Sequence, residues 1–341
     1  MNKFEKELTE SNRNLKRNTI IRYLQSFRNL LHIFNQGKFK SYNFLKDYDK
    51  NTKILDNLPE KKTFQLYKII LVVLQVNKGS VRRGYKEIHQ KYQEDFLKLR
   101  RHQNKIKDSG VKTQRESDNW VNWPEITTHF DVLYNKFYTK YYDEDGNIDD
   151  NKLSKYGFDE LIELQSLLIL SLYTQLPPRR LEYAYTKYLL FDNFNKLSED
   201  ELDNNIYLVT VDEKNMFFSF GKNMIKNKTK SNLQVKLTQK LNNICYIYLN
   251  INYILRGQTG DNSLLFNSYK KQMSSTSLSL YLTKYFLENF NKKISISMLR
   301  KIYHTHHTSA FKKQYNKIKE TSQIMNHSTS MAFKYYCKNT K

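Results

Sequence analysis

The chain has 341 residues, room for about two domains that each bury a core of their own. Lys and Arg outnumber Asp and Glu by 57 to 34, a formal net charge of +23 spread along most of the sequence, so the expected partner is a polyanion, with nucleic acid ahead of an anionic membrane. Only Cys245 and Cys337 are present, which excludes a disulfide scaffold or a Cys-rich zinc module; no glycine-rich nucleotide loop occurs, and no stretch approaches the roughly 20 apolar residues of a membrane span.

The polar start, Met1 to Glu5, does not read as a signal peptide. From Asn18 the residues Ile20, Leu24, Phe27, Leu31 and Phe34 recur at helical spacing, with Asn18 or Thr19 as cap and Gly37 as stop. A second helix is expected over Thr63 to Val76, and a third, rich in Arg and Lys, over Arg82 to Ile106. The first hundred residues thus predict a small helical bundle with a basic surface. Between Lys105 and Asp118 the apolar period disappears around Gly110, which predicts a linker.

A second unit starts at Asn119-Trp120-Val121-Asn122-Trp123-Pro124, where Pro124 suits a helix N-terminus. Asp143, Asp145, Asn147 and Asp149 resemble a calcium loop but lack its central Gly and terminal Glu, so no calcium is expected there. An apolar helix follows over Phe158 to Tyr173. Ile206 to Val211, Met216 to Phe220 and Leu233 to Leu237 are short β-branched or aromatic runs between polar turns, which predicts a three-stranded antiparallel sheet. Helices are expected near Leu241 to Ile254, Leu278 to Phe290, Met298 to Phe311 and Tyr315 to Met325.

Four separated pieces of this second unit carry reactive or phosphate-binding side chains. In Leu176-Pro177-Pro178-Arg179-Arg180-Leu181-Glu182, two prolines put adjacent guanidiniums at an expected helix start, where free N–H groups and bidentate Arg can hold an anion. Lys226 to Ser231 forms the turn between the second and third strands, and a Lys on such a tip can protonate a leaving oxygen when neighbouring cations lower its pKa. Ser295 to Arg300 puts Arg300 in the first turn of a helix. The last piece runs from Met325 through His327 to Tyr335 and Tyr336. His304, His306 and His307 invite a zinc reading, but no Cys or carboxylate stands at ligand spacing, so a DNA-backbone or surface role is expected instead.

Together these pieces resemble the tyrosine recombinase, or phage integrase, family. That family has an Arg before the sheet, a Lys in the hairpin, a His-x-x-Arg box, and a late His or Trp nine residues ahead of a Tyr. His327 and Tyr336 have that spacing; Lys228-Thr229-Lys230-Ser231 with Val235 resembles the hairpin, and Leu299-Arg300 the second Arg. Pro-Pro-Arg-Arg and Asn-Trp-Val-Asn-Trp look closer to integrase-like proteins of large DNA viruses and their mobile elements. Ser297 stands where the His-x-x-Arg box has its His or Lys, leaving that base role unfilled or passed to a neighbour such as Lys301. Arg179 stands three residues before Glu182, the common family spacing, while Arg180 matches relatives that keep only the second of the pair; both are candidates, with a slight lean to Arg180.

The resemblance implies a mainly α fold: a helical core-binding domain over 1–108, a linker over 109–118, and a mostly helical catalytic domain over 119–341 with a small three-stranded sheet. It implies a site-specific DNA recombinase in which Tyr336 attacks the scissile phosphate, Arg300, Arg179 and Arg180 hold it, and Lys228 and His327 assist. The intermediate is a 3′-phosphotyrosine, so no metal, ATP or other cofactor is expected. Tyr335 is the rival nucleophile. A phenol with pKa near 10 costs on the order of 4 kcal/mol to ionise at neutral pH, which a field of guanidiniums reduces. The implied partner is double-stranded DNA, bound by a homo-tetramer with a dimer on each site, inside a cell where DNA is accessible; no membrane and no small-molecule substrate is expected. Two other readings share these residues: a relaxing type IB topoisomerase, and a catalytically inactive DNA-binding relative.

Overall fold

The computed structural model describes residues 2–10, 15–37, 39, 41–77, 80–149, 157–225, 231–256 and 262–324. The chain is mainly helical with a small mixed sheet, and it divides into two compact units, Met1–Lys112 and Thr113–Lys341.

The first unit contains α1 (Asn2–Glu10), α2 (Arg17–Ile33), α3 (Tyr48–Asp56), α4 (Glu60–Leu74) and α5 (Lys86–Asp108). The apolar stripe of α2 buries Leu24, Phe27, Leu30 and Leu31 against a core that includes Phe4, Ile70, Val73 and Tyr92. The stop of α2 is not Gly37 but Asn35, which takes the left-handed conformation (φ 51°) while Gln36 N–H returns to the Leu31 carbonyl at 2.8 Å. Helix α4 ends at Leu74 rather than Val76, because Gln75–Asn77 leaves as strand β1 and pairs antiparallel with β2 (Ser80–Val81). Helix α5 accordingly starts at Lys86, and Arg82 leaves the expected helix to join Glu7 and stack over the Tyr42 ring at 4.1 Å.

The second unit opens with a helix where a linker is expected. In α6 (Gln114–Asp118) the Glu116 carboxylate accepts from Thr113 N–H at 2.9 Å while Thr113 Oγ1 accepts from Glu116 N–H at 3.3 Å, a reciprocal cap that stabilises even five residues. Helix α7 (Trp123–Tyr141) follows, with Pro124 in its first turn, then α8 (Phe158–Thr174).

Next comes a strand that the sequence does not announce. Strand β3 (Thr186–Leu190) pairs parallel with β4 (Ile206–Asp212), which pairs antiparallel with β5 (Asn215–Phe220), and β5 in turn with β6 (Leu233–Lys236). The sheet is therefore four-stranded and mixed, not three-stranded and antiparallel. The crossover from β3 to β4 carries two short helices, α9 (Phe191–Phe194) and α10 (Glu199–Asn204). Because Phe194 and Leu202 cover Tyr207, Val209 and Phe217 on one face, while Ile206, Leu208, Phe218 and Phe220 enter the main core on the other, β4 is apolar without alternation at its start.

Helices α11 (Gln239–Arg256), α12 (Ser275–Phe290) and α13 (Ile296–Ile324) complete the unit. Helix α13 replaces the two helices expected over Met298 to Met325. No Gly or Pro interrupts Ile296 to Ile324, so nothing ends the first helix where a break is expected. Among the described residues no helix is long and apolar enough to cross a membrane.

Candidate functional site

The loop after α8 carries the paired arginines, and its shape differs from the helix start expected for it. Pro177 to Arg180 has no regular structure, and Glu182–Tyr185 is a single 3-10 turn, too short to gather the dipole of a full helix. Side chains, rather than a helix end, must supply any anion binding here. The loop is fixed at two backbone points: the Tyr173 hydroxyl donates to the Arg180 carbonyl at 2.7 Å, and Arg300 Nε donates to the Pro178 carbonyl at 3.1 Å.

This second bond brings together two pieces of sequence 122 residues apart. Arg300 lies just beyond the first turn of α13, anchored below by buried Leu299 and Ile302, so its guanidinium projects across to the proline loop. Only Nε is spent on the carbonyl, which leaves the Nη groups of the fork for another acceptor.

Arg179 and Arg180 diverge. The Arg179 guanidinium lies over the Phe220 ring, 3.7 Å from its centroid, at the end of β5. Its Nε is buried, and so are Glu182 Oε2, Tyr183 Oη and Thr186 Oγ1; none of the four has a hydrogen-bond partner among the described residues. Orphaned polar atoms in one short stretch are unusual in a folded core. Burial pushes the Tyr183 phenol up, and the Arg179 charge beside it opposes that shift. The Arg180 side chain is half-buried and makes no hydrogen bond or ion pair among the described residues.

The stems of the lysine-bearing turn meet the same place. Phe220, under Arg179, pairs with Leu233 at the start of β6. The next residue, Gly221, passes so close to α10 that an added Cβ would sit 2.4 Å from the Asp203 carbonyl oxygen and 2.5 Å from that of Leu202. Gly221 N–H donates to the Asn205 carbonyl at 2.9 Å, Lys222 pairs with Asp203, and Lys222 N–H donates to Asn232 Oδ1 at 2.8 Å. Both stems are thus tied down at the end of the sheet where Arg179 lies over Phe220. Lys228, His327, Tyr335 and Tyr336 lie outside the described residues.

Lys301 does not turn toward the arginines. It pairs with Glu116 of α6, and this pairing, with the Thr113 cap, holds the Glu116 carboxyl down at about 2. Lys292 Nζ donates to the Asp118 carbonyl at 2.7 Å and Lys293 N–H to Asn119 Oδ1 at 2.7 Å, so the segment expected as linker is strapped to the start of α13. Ser297 is exposed. His304, His306 and His307 are exposed too, with His307 packed on Tyr303 at 4.2 Å, and no metal-binding group of His, Cys, Asp or Glu occurs among the described residues.

Sequence reasoning finds the three arginines but misses the groups that hold them: the Pro178 carbonyl, the Tyr173 hydroxyl, Phe220 and Gly221. Of these only Gly221 leaves a trace in the sequence, as a lone glycine directly after an aromatic-rich strand. Compared with protein-family models, curated proteins and solved structures, the chain shows no match.

Proposed function

We propose that this protein is a tyrosine recombinase that cleaves and rejoins duplex DNA through a phosphotyrosine at Tyr336. The reading is carried by one observation, the hydrogen bond from Arg300 to the Pro178 carbonyl. Arg300 and the Arg179-Arg180 pair are the residues that the resemblance assigns to the scissile phosphate, and that bond joins their two elements directly. The anchored stems of the turn that carries Lys228 add support, since they begin at the ring beneath Arg179.

In this mechanism the Tyr336 phenol gives up its proton to His327 or to solvent, and its oxygen attacks phosphorus in line with the departing 5′-oxygen. The phosphoryl group passes to the phenol, and a proton goes to the leaving oxygen, with Lys228 as its donor. Arg300 and the paired arginines stabilise the charge on the remaining phosphate oxygens, an electrostatic task for fixed guanidiniums. The 5′-hydroxyl of the same or another strand then attacks the phosphotyrosine, which conserves the bond energy and needs no nucleotide. The first unit, rich in Lys and Arg, contributes further contacts to the DNA backbone.

The test uses the full chain and nicked duplexes of random sequence, from which covalent complexes are recovered under denaturing conditions and mapped by mass spectrometry. A DNA adduct on the peptide containing Tyr336 is expected, abolished by Tyr336→Phe and retained by Tyr335→Phe. The opposite pattern moves the nucleophile to Tyr335, and an absence of adduct on every duplex overturns the enzymatic reading. Where a target has been recovered this way, recombinants from a two-site plasmid distinguish strand exchange from relaxation alone.

A further inference from the structure

Strand β5 has a second end, and a cleft opens there. The turn Glu213–Lys214 that enters β5 lines a cavity of about 990 Å³ between α7 and α11. Arg179 lies over Phe220 at the other end of the strand, five residues away and so roughly 17 Å distant at about 3.3 Å per residue. The cavity therefore owes nothing to the arginine loop.

Its walls have a consistent chemistry. On α11, Gln239, Asn243, Tyr246 and Asn250 recur at helical spacing, so one face of the helix presents amides and a phenol. Across from it, Tyr134 and Tyr138 of α7 continue into Tyr142. Tyr138 and Tyr142 stack in parallel, centroids 4.7 Å apart with planes 5° from coplanar. The adjoining loop keeps Gly146 at φ 79°, where an added Cβ would sit 3.0 Å from the Tyr138 hydroxyl.

The polar groups sort into a fixed floor and a free rim. Gln239 Nε2 donates to Asn243 Oδ1 at 2.8 Å, and Asn243 Nδ2 to the Tyr134 hydroxyl at 2.9 Å. The Tyr246 hydroxyl donates to Glu213 Oε1 at 3.1 Å, which engages the carboxylate of the lining. Lys240 is held by Asp131 at 2.7 Å. Asn135 and Asn250 keep side-chain amides without a partner among the described residues, and the exposed Lys214 ammonium, whose charge acts on Asp212, forms no ion pair there.

We propose that this cleft binds a nucleotide, its base stacked on the Tyr138–Tyr142 pair, its edge read by the rim amides and its phosphate met by Lys214. Stacked phenols accept a planar ring. Side-chain amides pair best with adenine, whose neighbouring donor and acceptor match an amide's own. A single carboxylate already bonded to a phenol suits neither a divalent cation nor a sugar that needs charged acceptors. A free nucleoside monophosphate and an unpaired nucleotide within a strand share this chemistry. The site stands independently of the recombinase reading.

Calorimetry on the full chain tests it with deoxyadenosine monophosphate, deoxycytidine monophosphate and single-stranded hexamers of dA and dC. Saturable binding of one deoxyadenosine monophosphate per chain is expected, about tenfold tighter than the cytidine nucleotide. Tyr138→Ala weakens it about tenfold, whereas Tyr138→Phe, which keeps the ring, does not. Asn250→Leu, on the opposite wall, removes most of the preference for adenine, with circular dichroism confirming an unchanged fold. A dA hexamer that binds well above both the mononucleotide and the dC hexamer assigns the site to strand; equal affinity of hexamer and mononucleotide assigns it to the free nucleotide. The proposal is overturned if neither adenine probe binds, or if adenine and cytosine probes bind alike and ignore Tyr138→Ala.

Discussion

The two ends of β5 solve opposite problems with the same strand. At the Phe220 end, one loop carries Arg179 and Arg180 and receives Arg300, some of its polar atoms are left unsatisfied among the described residues, and the backbone is pinned at Pro178, Arg180 and Gly221. At the Asn215 end the cleft is lined by phenols and amides whose floor is joined by hydrogen bonds. Concentrated like charge is expensive to assemble and pays its way only when an anion arrives, whereas a paired neutral floor is stable alone. The arginine end is accordingly where substitution should hurt activity more than fold, and the cleft end is where it should alter selectivity.

The largest effect that can break this contrast is on cleavage. Arg300→Ala is expected to lower the rate of adduct formation by about 10²–10³, the range for removing one preorganised donor, while the melting temperature moves little; a rate within twofold of the parent removes Arg300 from the site. Gly221→Ala comes next. Its Cβ would meet two backbone carbonyls, so a loss of about 1–3 kcal/mol by denaturant titration is expected, with cleavage falling because the stem that leads toward Lys228 shifts.

A comparison of the paired arginines sharpens the same end. Arg179→Ala removes a guanidinium from over Phe220 and costs about 1–2 kcal/mol, whereas Arg180→Ala stays within about 0.5 kcal/mol. Whichever variant also abolishes the adduct identifies the phosphate ligand, and equal stability losses would contradict the division described for them. A small effect that depends on pH belongs to Glu116→Gln. The Lys301 ammonium is well exposed, so the pair contributes about 1 kcal/mol at most. Because the folded carboxyl is held below its ordinary value, that contribution is present above pH about 4.5 and is lost as pH falls toward about 2; Glu116→Gln flattens the acid limb of a stability–pH curve in this window.

Legibility in the sequence followed sequence distance. Helices with a strong apolar period, such as α2 and α8, and the three antiparallel strands β4 to β6, of which β4 and β5 are joined by a tight turn, could be read directly, since the signals that make them are local. Strand β3 could not, because its parallel partner begins at Ile206, beyond a crossover, and no hairpin turn advertises the pairing. Helix α6 was hidden because its cap is polar and its packing runs through Lys301, Lys292 and Lys293, nearly two hundred residues away. In the candidate site the arginines stood out by type and order. Their arrangement rests on carbonyl oxygens and a ring face, which carry no motif.

One last consequence follows from where the sheet stops. The outer side of β3 is covered, since Tyr188 N–H donates to the Asn262 carbonyl and Leu264 N–H to that of Thr186, each at 2.8 Å. Strand β6 is the other border, four residues long, largely exposed and ending in Lys236. A brief edge with a cation on it is a poor template for another chain, so this border of the sheet resists strand-by-strand aggregation.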